Sequence, residues 1–370
     1  MADARRLALD ALVRIDVDGA YANLVLPPML DASRLADRDR AFVTELVYGA
    51  TRLRGLLDWA IDRFVRPGMA LEPAVRNAMR LGVYQLLVLR TPPHAAVSTT
   101  VDLVPQRARG VVNAVLRKVA DSPDRPPVTA SYPRWIVELL KADLGATDAA
   151  GALAVMNTPP SVHRRDDGYV QDLASQWVAD LVAPAVGDRV LDQCAGPGGK
   201  TTALAHRAFV VGADSRLGRA RLVAGNAATT GVAASVGVVA ADGTAPPYVD
   251  ASFDKVLVDA PCSGLGVLRR RPDARWHVQP ADVVDLAALQ RRLLDAAIPT
   301  LKPGGSLTYS VCTLTNAETV DVDRWLAETH PELVALPPPA APWRPHGRGA
   351  LLLPQAADTD GMFLLRLTKA

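Results

Sequence analysis

Two cysteines directly follow apolar segments that are predicted to be neighbouring strands. Cys262 lies in Asp259-Ala-Pro-Cys-Ser-Gly-Leu-Gly266, and Cys312 lies in Tyr309-Ser-Val-Cys-Thr-Leu-Thr315. A cysteine is most often a small buried hydrophobe, but an inert one would be expected in mid-strand. Because ligands bind at the carboxyl ends of parallel strands, we expect both thiols to face one crevice.

A pair of thiols in one crevice suits methylation of a pyrimidine carbon. Methyl transfer to an exocyclic amine needs an acceptor for the amine's protons and no thiol. Carbon 5 of cytosine is a poor nucleophile until a thiolate attacks carbon 6 and makes carbon 5 enamine-like. A second residue must then help to remove the carbon-5 proton, so two cysteines could divide this work.

A glycine-rich turn follows the first predicted strand, in Leu191-Asp-Gln-Cys-Ala-Gly-Pro-Gly-Gly-Lys-Thr-Thr202. Such a turn lets backbone approach a ligand, and the helix after it supplies free N–H groups. The turn is neither GxGxxG nor GxxxxGK[ST], which argues against a dinucleotide site and a P-loop. Asp214 and Asp242 end the next two strands, where acids can bind ribose hydroxyls and an adenine amino group. Each could instead cap a helix, but acids at successive strand ends favour a nucleoside.

Alternating short strands and helices from about Gly168 predict an α/β, Rossmann-like domain with a parallel sheet. The last strand, Met362–Leu367, is expected at an edge of the sheet. The preceding strands are predicted at Arg189–Gln193, Phe209–Asp214, Ala234–Ala241, Lys255–Asp259 and Ser306–Val311.

The first 120 or so residues show only helical periodicity, which predicts an all-α domain. The proline-rich segment Asp121–Pro127 indicates a domain boundary. Helices are expected near Arg38–Leu53, Glu72–Leu89 and Gly110–Val119.

Composition limits the function classes. The net charge of +2 argues against binding nucleic acid by bulk charge, although local arginines could still contact phosphates. Three cysteines without CxxC spacing suggest neither a disulfide framework nor a metal site, and therefore a reducing, cytoplasmic environment. The sequence lacks an uncharged apolar window of about 18 residues, so no membrane contact is expected.

Four motifs together resemble the bacterial branch of the RNA 5-methylcytosine methyltransferases. They are Val170-Gln-Asp-Leu-Ala-Ser-Gln176, Cys194-Ala-Gly-Pro-Gly-Gly-Lys200, Asp259-Ala-Pro-Cys-Ser-Gly264 and Ser310-Val-Cys-Thr313. The resemblance implies that Cys312 attacks carbon 6 and that Cys262 assists proton removal and release. It makes Asp259 a partner of the cytosine edge and places Lys200 near the base.

The same resemblance implies S-adenosylmethionine as the cofactor. The residues it assigns to the cofactor site are Cys194, Ala195, Gly196, Pro197, Gly198, Gly199, Lys200, Asp214, Arg219, Asp242, Gly243 and Asp259.

The N-terminal helices resemble the NusB-like RNA-binding fold. This likeness is carried by Ala4-Arg-Arg-Leu-Ala8, Asp39-Arg-Ala-Phe-Val-Thr-Glu-Leu-Val-Tyr-Gly49 and Val112-Asn-Ala-Val-Leu-Arg117. The fusion is typical of RsmB/Sun-type enzymes and favours small-subunit ribosomal RNA as the partner of a monomer. The expected domains are residues 1–125 (NusB-like), 126–168 (linker helices) and 169–370 (methyltransferase).

Two departures from the family pattern are visible. A small RNA-holding lobe usually separates the Pro-Pro and Val-Gln-Asp motifs, whereas here only residues 161–169 lie between them. Either the lobe is lost or the sequence omits residues, and its loss would affect substrate choice but not the chemistry. Gly196 stands where alanine is more usual, which is expected to be harmless.

A basic run follows the Cys262 loop, and its position beside the predicted base site favours RNA phosphates over a plain solvated face. Its members are Arg269, Arg270, Arg271 and Arg275. By contrast, Gln290, Arg291 and Arg292 are expected on an exposed helix face without a role.

Three alternatives remain open: a transfer RNA substrate, an amine methyltransferase, and a non-catalytic RNA-binding assembly factor. An amine methyltransferase would carry Asn or Asp, then Pro-Pro and an aromatic residue, where this chain has Asp259-Ala-Pro-Cys262. The cysteines, Lys200 and the acids are all present, so the sequence shows no sign of degeneration. Only the short segment 161–169 favours the assembly factor.

Overall fold

The computed structural model describes residues 2–370, with side chains from Ala4 onward. The chain forms two compact units. A helical unit comprises the chain up to Glu138 with Met156–Pro159 and Leu268–His277, and a sheet unit comprises Leu139–Val155, Pro160–Val267 and Val278–Ala370. The units are therefore interleaved along the chain, and the domain bounds at 125/126 and 168/169 stay a prediction. None of the helices in the described part of the chain is long and apolar enough to cross a membrane.

The helical unit buries one apolar core. In α7, for example, Val112, Val115, Leu116 and Val119 recur at helical spacing and are all buried. The helices expected near residues 38–53, 72–89 and 110–119 are confirmed. The main helices are α1 (Ala2–Val17), α2 (Ala22–Asp31), α3 (Asp37–Arg52), α4 (Arg54–Asp62), α5 (Pro73–Leu87), α6 (Pro93–Val101) and α7 (Gln106–Asp121).

Two helices follow in the chain, α8 (Arg134–Leu144) and α9 (Ala146–Val155), of which α9 lies in the sheet unit. The remaining helices are α10 (Leu173–Val182), α11 (Gly199–Ala205), α12 (Leu217–Thr229), α13 (Ala274–His277), α14 (Pro280–Ala297), α15 (Val320–Thr329) and α16 (Pro354–Ala357). Only α13 among these belongs to the helical unit.

The basic run is mostly structural within the helical unit. Arg275 is wholly buried, and its guanidinium donates to the carbonyl oxygens of Arg52, Ser131, Met156 and Leu268 at 2.8–3.2 Å. It also stacks on Tyr132 at 4.2 Å, and burial lowers its pKa to about 10. Buried donors must find acceptors, and backbone carbonyls supply them here.

Arg269 is also buried and donates to the carbonyl oxygen of Pro159 at 2.8 Å. The prediction that Arg269 and Arg275 bind RNA phosphates is therefore wrong, because their donors face protein rather than solvent. Arg270 is half-buried and Arg271 is exposed, and for these two the RNA assignment stays a prediction.

The sheet unit contains a mixed sheet in the order β3-β2-β1-β4-β5-β9-β8-β7, with β6 also paired to β9. Strands β1 to β5 are parallel, and β6 to β9 join by antiparallel pairing. Their bounds are β1 (Arg189–Asp192), β2 (Phe209–Asp214), β3 (Val236–Ala240), β4 (Phe253–Asp259), β5 (Leu301–Val311), β6 (Leu333–Ala335), β7 (Arg344–His346), β8 (Gly349–Leu352) and β9 (Met362–Lys369).

The five predicted parallel strands are confirmed, but the edge position expected for the last strand is wrong. Strand β9 lies between β5 and β8, and its residues Met362–Leu365 are buried. Strand β8, Gly349–Leu352, is a buried apolar strand that pairs with β9 and so takes β9 away from the edge of the sheet. This short strand has no alternating pattern that would have revealed it in the sequence.

We expect Arg275→Ala to lower the free energy of unfolding by about 3 kcal/mol, since it strands several buried carbonyl groups. Arg271→Ala is the matched control, and an exposed side chain of this kind should change stability by less than about 0.5 kcal/mol. Urea denaturation of both variants measures the difference. Equal midpoints for the two would contradict the structural role of Arg275.

Candidate active site

The two thiols predicted to cooperate lie side by side. Strands β4 and β5 are parallel neighbours with Asp259 paired to Ser310, so the loops that follow them start at the same sheet edge. Cys262 Sγ and Cys312 Sγ are 3.3 Å apart, and both residues are free and partly exposed. The hydrogen bond with Cys312, together with burial, raises the pKa of Cys262 well above its usual value.

A partly buried ion pair adjoins the thiols. Lys200 Nζ donates to Asp259 Oδ2 at 2.6 Å, and Ser310 Oγ donates to Asp259 Oδ1 at 2.6 Å. Burial alone would lower the pKa of Lys200, but Asp259 and then Cys312 outweigh it and raise the pKa. Lys200 therefore stays protonated and supplies positive charge beside Cys312.

The glycine-rich turn links β1 to α11 and is closely packed. Gly198 has φ of +110°, a conformation that favours glycine. At Gly196, an added Cβ would lie 2.4 Å from Asp214 Oδ2 and 2.7 Å from Arg219 Nε. The alanine more usual in related sequences would therefore require both side chains to move.

The acids expected to bind a nucleoside also make local bonds. Asp214 is buried, accepts from the N–H groups of Gly196 and Arg216, and pairs with Arg219 at 3.1 Å. Asp242 is exposed and accepts from the N–H and hydroxyl of Thr244, each at 2.8 Å. Neither acid caps a helix, because α12 has its N-cap at Arg216 without a side-chain cap bond and the element that follows Asp242 is β4. Their cofactor role stays a prediction.

Gly243 follows Asp242 in the loop between β3 and β4. Its Cβ position would be 2.7 Å from Leu293 Cδ2, so a side chain there would collide with α14. Its carbonyl oxygen accepts from Gln193 Nε2. The loop backbone is therefore fixed where the resemblance places cofactor contacts.

Asp192, the last residue of β1, was not singled out from the sequence. It is 1% exposed, and its Oδ2 accepts from Thr201 Oγ1 at 2.7 Å. Its Oδ1 has no hydrogen-bond partner among the described residues. Burial raises the pKa of Asp192 to about 7. The sequence could have singled out Asp192 because it is an acid at the end of the first strand, directly before the glycine-rich turn.

Arg165, in the shortened segment 161–169, was also missed. Arg164 and Val170 form an isolated antiparallel bridge that folds the segment into a small hairpin. The five N–H donors of Arg165 all find acceptors, which are the carboxylate of Asp167, Gln171 Oε1, Gly199 O and Thr202 Oγ1. The hairpin is thereby tied to the start of α11.

The helix face assigned no role also needs correction at Gln290. This residue is wholly buried rather than exposed. Its Nε2 donates to Pro261 O at 2.9 Å and to Glu318 Oε1 at 3.0 Å. Helical spacing alone could not show that the loop before Cys262 would cover this face.

Comparisons with known proteins agree with this geometry. A family model described as 16S rRNA methyltransferase RsmB/F matches residues 179–368, and a NusB family model matches residues 2–121. Ribosomal RNA small subunit methyltransferase B of Salmonella heidelberg is 31% identical, covering 99% of this chain and 98% of the relative. A Mycobacterium tuberculosis protein, Rv1407, is 38% identical over 99% of this chain and 96% of its own length.

The chain belongs to the RsmB/F methyltransferase family. As a member of this family it is an RNA methyltransferase, and its cofactor is S-adenosylmethionine. The alignment to the Salmonella relative spans 429 positions and that to the Mycobacterium tuberculosis relative spans 445. Both exceed the 370 residues of this RsmB/F member. The relatives therefore have internal residues without a counterpart here, and the loss of the lobe at segment 161–169 stays a prediction.

Solved structures show the same fold. The crystal structure of PH0851 has a TM-score of 0.80 at 21% identity and covers 100% of this chain and 99% of that chain. A methyltransferase homolog protein from Pyrococcus horikoshii has a TM-score of 0.53 at 22% identity, covering 65% and 96%. At these low identities, the two structures show only that this RsmB/F member shares their fold.

The buried Asp192 predicts a pH-dependent stability. Its folded pKa lies above the unfolded value, so the folded state holds the extra proton and stability falls as pH rises from about 4 to 7. Asp192→Asn cannot ionise, and it should gain about 2 kcal/mol over the wild type between pH 5 and pH 8. Urea denaturation at both pH values measures this. A pH-independent difference between the two proteins would contradict it.

We expect Arg165→Ala to weaken cofactor binding about tenfold, about 1.4 kcal/mol, because the start of α11 loses its tie to the hairpin. Isothermal titration with S-adenosylmethionine measures the effect. Arg164→Ala is the control, since the Arg164 side chain is exposed and donates to Gly168 O, at 2.7 Å, within the hairpin itself. Equal affinity in the two variants would show that the hairpin does not support the cofactor site.

Proposed function

We propose that this RNA methyltransferase methylates carbon 5 of a cytosine in small-subunit ribosomal RNA, with Cys312 as nucleophile and Cys262 assisting release. The observation that carries the proposal is the 3.3 Å approach of the two sulfur atoms beside Lys200 and Asp259. Transfer to an amine would need no thiol at this edge. Transfer to carbon 5 needs a nucleophile and a group that receives the carbon-5 proton.

The residues present fit S-adenosylmethionine, which when bound supplies the methyl group. Gly196 N donates to Asp214 Oδ2 at 3.2 Å, which holds the acid assigned to the ribose hydroxyls beside the glycine-rich turn. The orphaned Oδ1 of Asp192 is a buried acceptor still lacking a donor among the described residues, as a cofactor amino group could provide. We assign Cys194 to Lys200, Asp214, Arg219, Asp242, Gly243 and Asp259 to the cofactor site.

In the first step the Cys312 thiolate forms a bond to carbon 6. The electron pair of the carbon 5–carbon 6 double bond shifts to between carbons 4 and 5, and that of the carbon 4–N3 double bond shifts onto N3. Carbon 5 thereby becomes enamine-like and able to accept the methyl group. Lys200 favours the thiolate by its charge, and the Cys262 thiol can donate to the same sulfur. Asp259 is held by Lys200 and Ser310, and we assign it to the cytosine edge.

In the second step the carbon-5 proton leaves, the double bond re-forms and the Cys312–carbon 6 bond breaks. Addition removes the negative sulfur that keeps the pKa of Cys262 high, so Cys262 can then release its own proton to solvent. The resulting Cys262 thiolate accepts the carbon-5 proton. One proton is released per methyl transferred, which balances the reaction.

Three observations support the choice of RNA. The relative from Salmonella is named for small-subunit ribosomal RNA, and residues 2–121 match the NusB family. Arg271 is exposed in the loop after Cys262 and remains available to a phosphate. Transfer RNA is the alternative substrate for the same chemistry.

Cys262→Ala should accumulate a covalent RNA adduct, because addition proceeds while elimination slows. The variant is incubated with S-adenosylmethionine and unmodified small-subunit ribosomal RNA, then run on a denaturing gel. The retarded band should vanish in Cys262→Ala/Cys312→Ala, while cofactor binding persists. A band with transfer RNA and none with ribosomal RNA would identify transfer RNA as the substrate.

A band that survives loss of Cys312 would overturn the nucleophile assignment. No band with either RNA, despite intact cofactor binding, would favour a non-catalytic RNA-binding factor.

A further inference from the structure

Glu318 is a fully buried carboxylate in the stretch that follows the Cys312 loop. Burying an unpaired carboxylate is costly, so such a group needs several donors. Four are present: Ser263 N at 2.8 Å, Ser263 Oγ at 2.5 Å, Thr315 Oγ1 at 2.9 Å and Gln290 Nε2 at 3.0 Å. The carboxylate's acceptor positions are thus filled by protein, and it is not a free acid or base.

The donors come from both cysteine loops. Ser263 directly follows Cys262, and its hydroxyl also lies 2.8 Å from the hydroxyl of Thr313, which directly follows Cys312. Since the Ser263 proton points to Glu318, Thr313 must donate to Ser263. A one-directional chain therefore runs from the Cys312 loop through the Cys262 loop to Glu318.

A third element, α14, completes the cluster. Gln290 Nε2 bonds both Glu318 and Pro261 O, the residue before Cys262. Tyr309 Oη lies 2.7 Å from Glu318 O and 2.9 Å from Gln290 Oε1. The residues on both sides of Cys262 are therefore bonded to one buried cluster, which we call the Glu318 cluster (Ser263, Gln290, Tyr309, Thr313, Thr315 and Glu318).

We propose that Glu318 is a positioning residue that holds the Cys262 loop against the Cys312 loop and so maintains the close approach of the two sulfur atoms. The inference rests on the proposed function for its kinetic consequence only. Glu318 also acts at a distance, since its carboxylate contributes to the raised pKa of Cys262, after Cys312 and burial. Neutralising Glu318 should therefore ease ionisation of that thiol.

Two variants separate positioning from general folding. Glu318→Ala removes every bond to the carboxylate, whereas Glu318→Gln keeps the shape and can keep most bonds if the hydroxyls of Ser263 and Thr315 reorient. Misplacing reacting groups by about 1 Å can cost about 100-fold in rate, so kcat should fall about 100-fold in Glu318→Ala and about tenfold in Glu318→Gln. The KM for S-adenosylmethionine should not change.

The matched control is Glu328→Gln, because Glu328 is an exposed glutamate on α15. Its kcat should equal that of the wild type. Circular dichroism and cofactor binding report folding of each variant, and if Glu318→Ala does not fold then Glu318→Gln decides.

The deciding readout is the pH profile of iodoacetamide alkylation, quantified separately for the Cys262 peptide by mass spectrometry. In folded Glu318→Ala, Cys262 should react at lower pH than in the wild type and the Glu328→Gln control, because the close approach of Cys312 that raises its pKa is lost together with the carboxylate. Glu318→Gln should show only the smaller change that the charge alone causes. An unchanged Cys262 profile in folded Glu318→Ala overturns the proposal, and where that variant does not fold, an unchanged profile and kcat in Glu318→Gln overturn it. If the wild-type protein does not methylate cytosine, the proposed function is refuted. The alkylation profiles still decide whether Glu318 positions the Cys262 loop, because they do not depend on methyl transfer.

Discussion

The parallel pairing of β4 with β5 is the constraint on which the rest of the site depends. Parallel strands end at the same edge of a sheet, so pairing Asp259 with Ser310 starts two separate loops side by side. Three residues after Asp259 comes Cys262, and two after Ser310 comes Cys312. A shift in this register would separate the thiols and also break the bond between Ser310 and Asp259.

The site's charges are arranged around that edge. Lys200 reaches Asp259 from the start of α11, and its charge is maintained by Asp259 and Cys312 despite burial. Opposite charges that are buried together interact strongly but lose their hydration, so they need fixed geometry. On the other side of the cysteines, the Glu318 cluster supplies that geometry with neutral donors.

Much of this could be predicted from the sequence, because strand-end motifs and glycine-rich turns leave local patterns. Cys262, Cys312 and Lys200 were found in this way. The burial of Arg275 could not be, since a charge run does not show that backbone carbonyls will surround it. Gln290 and Glu318 were missed for a similar reason: their partners lie far along the chain. The place of β9 depended on β8, a strand too short to show a pattern.

The most direct test of the central claim follows the hydrogen at carbon 5. Small-subunit ribosomal RNA carrying tritium at carbon 5 of cytosine is incubated with the protein and S-adenosylmethionine bearing a carbon-14 methyl group. The account predicts one triton released to water for each methyl group incorporated, and neither signal with Cys312→Ala. Methyl incorporation with tritium retained in the RNA would contradict it, because the methyl group would then have gone to an atom other than carbon 5.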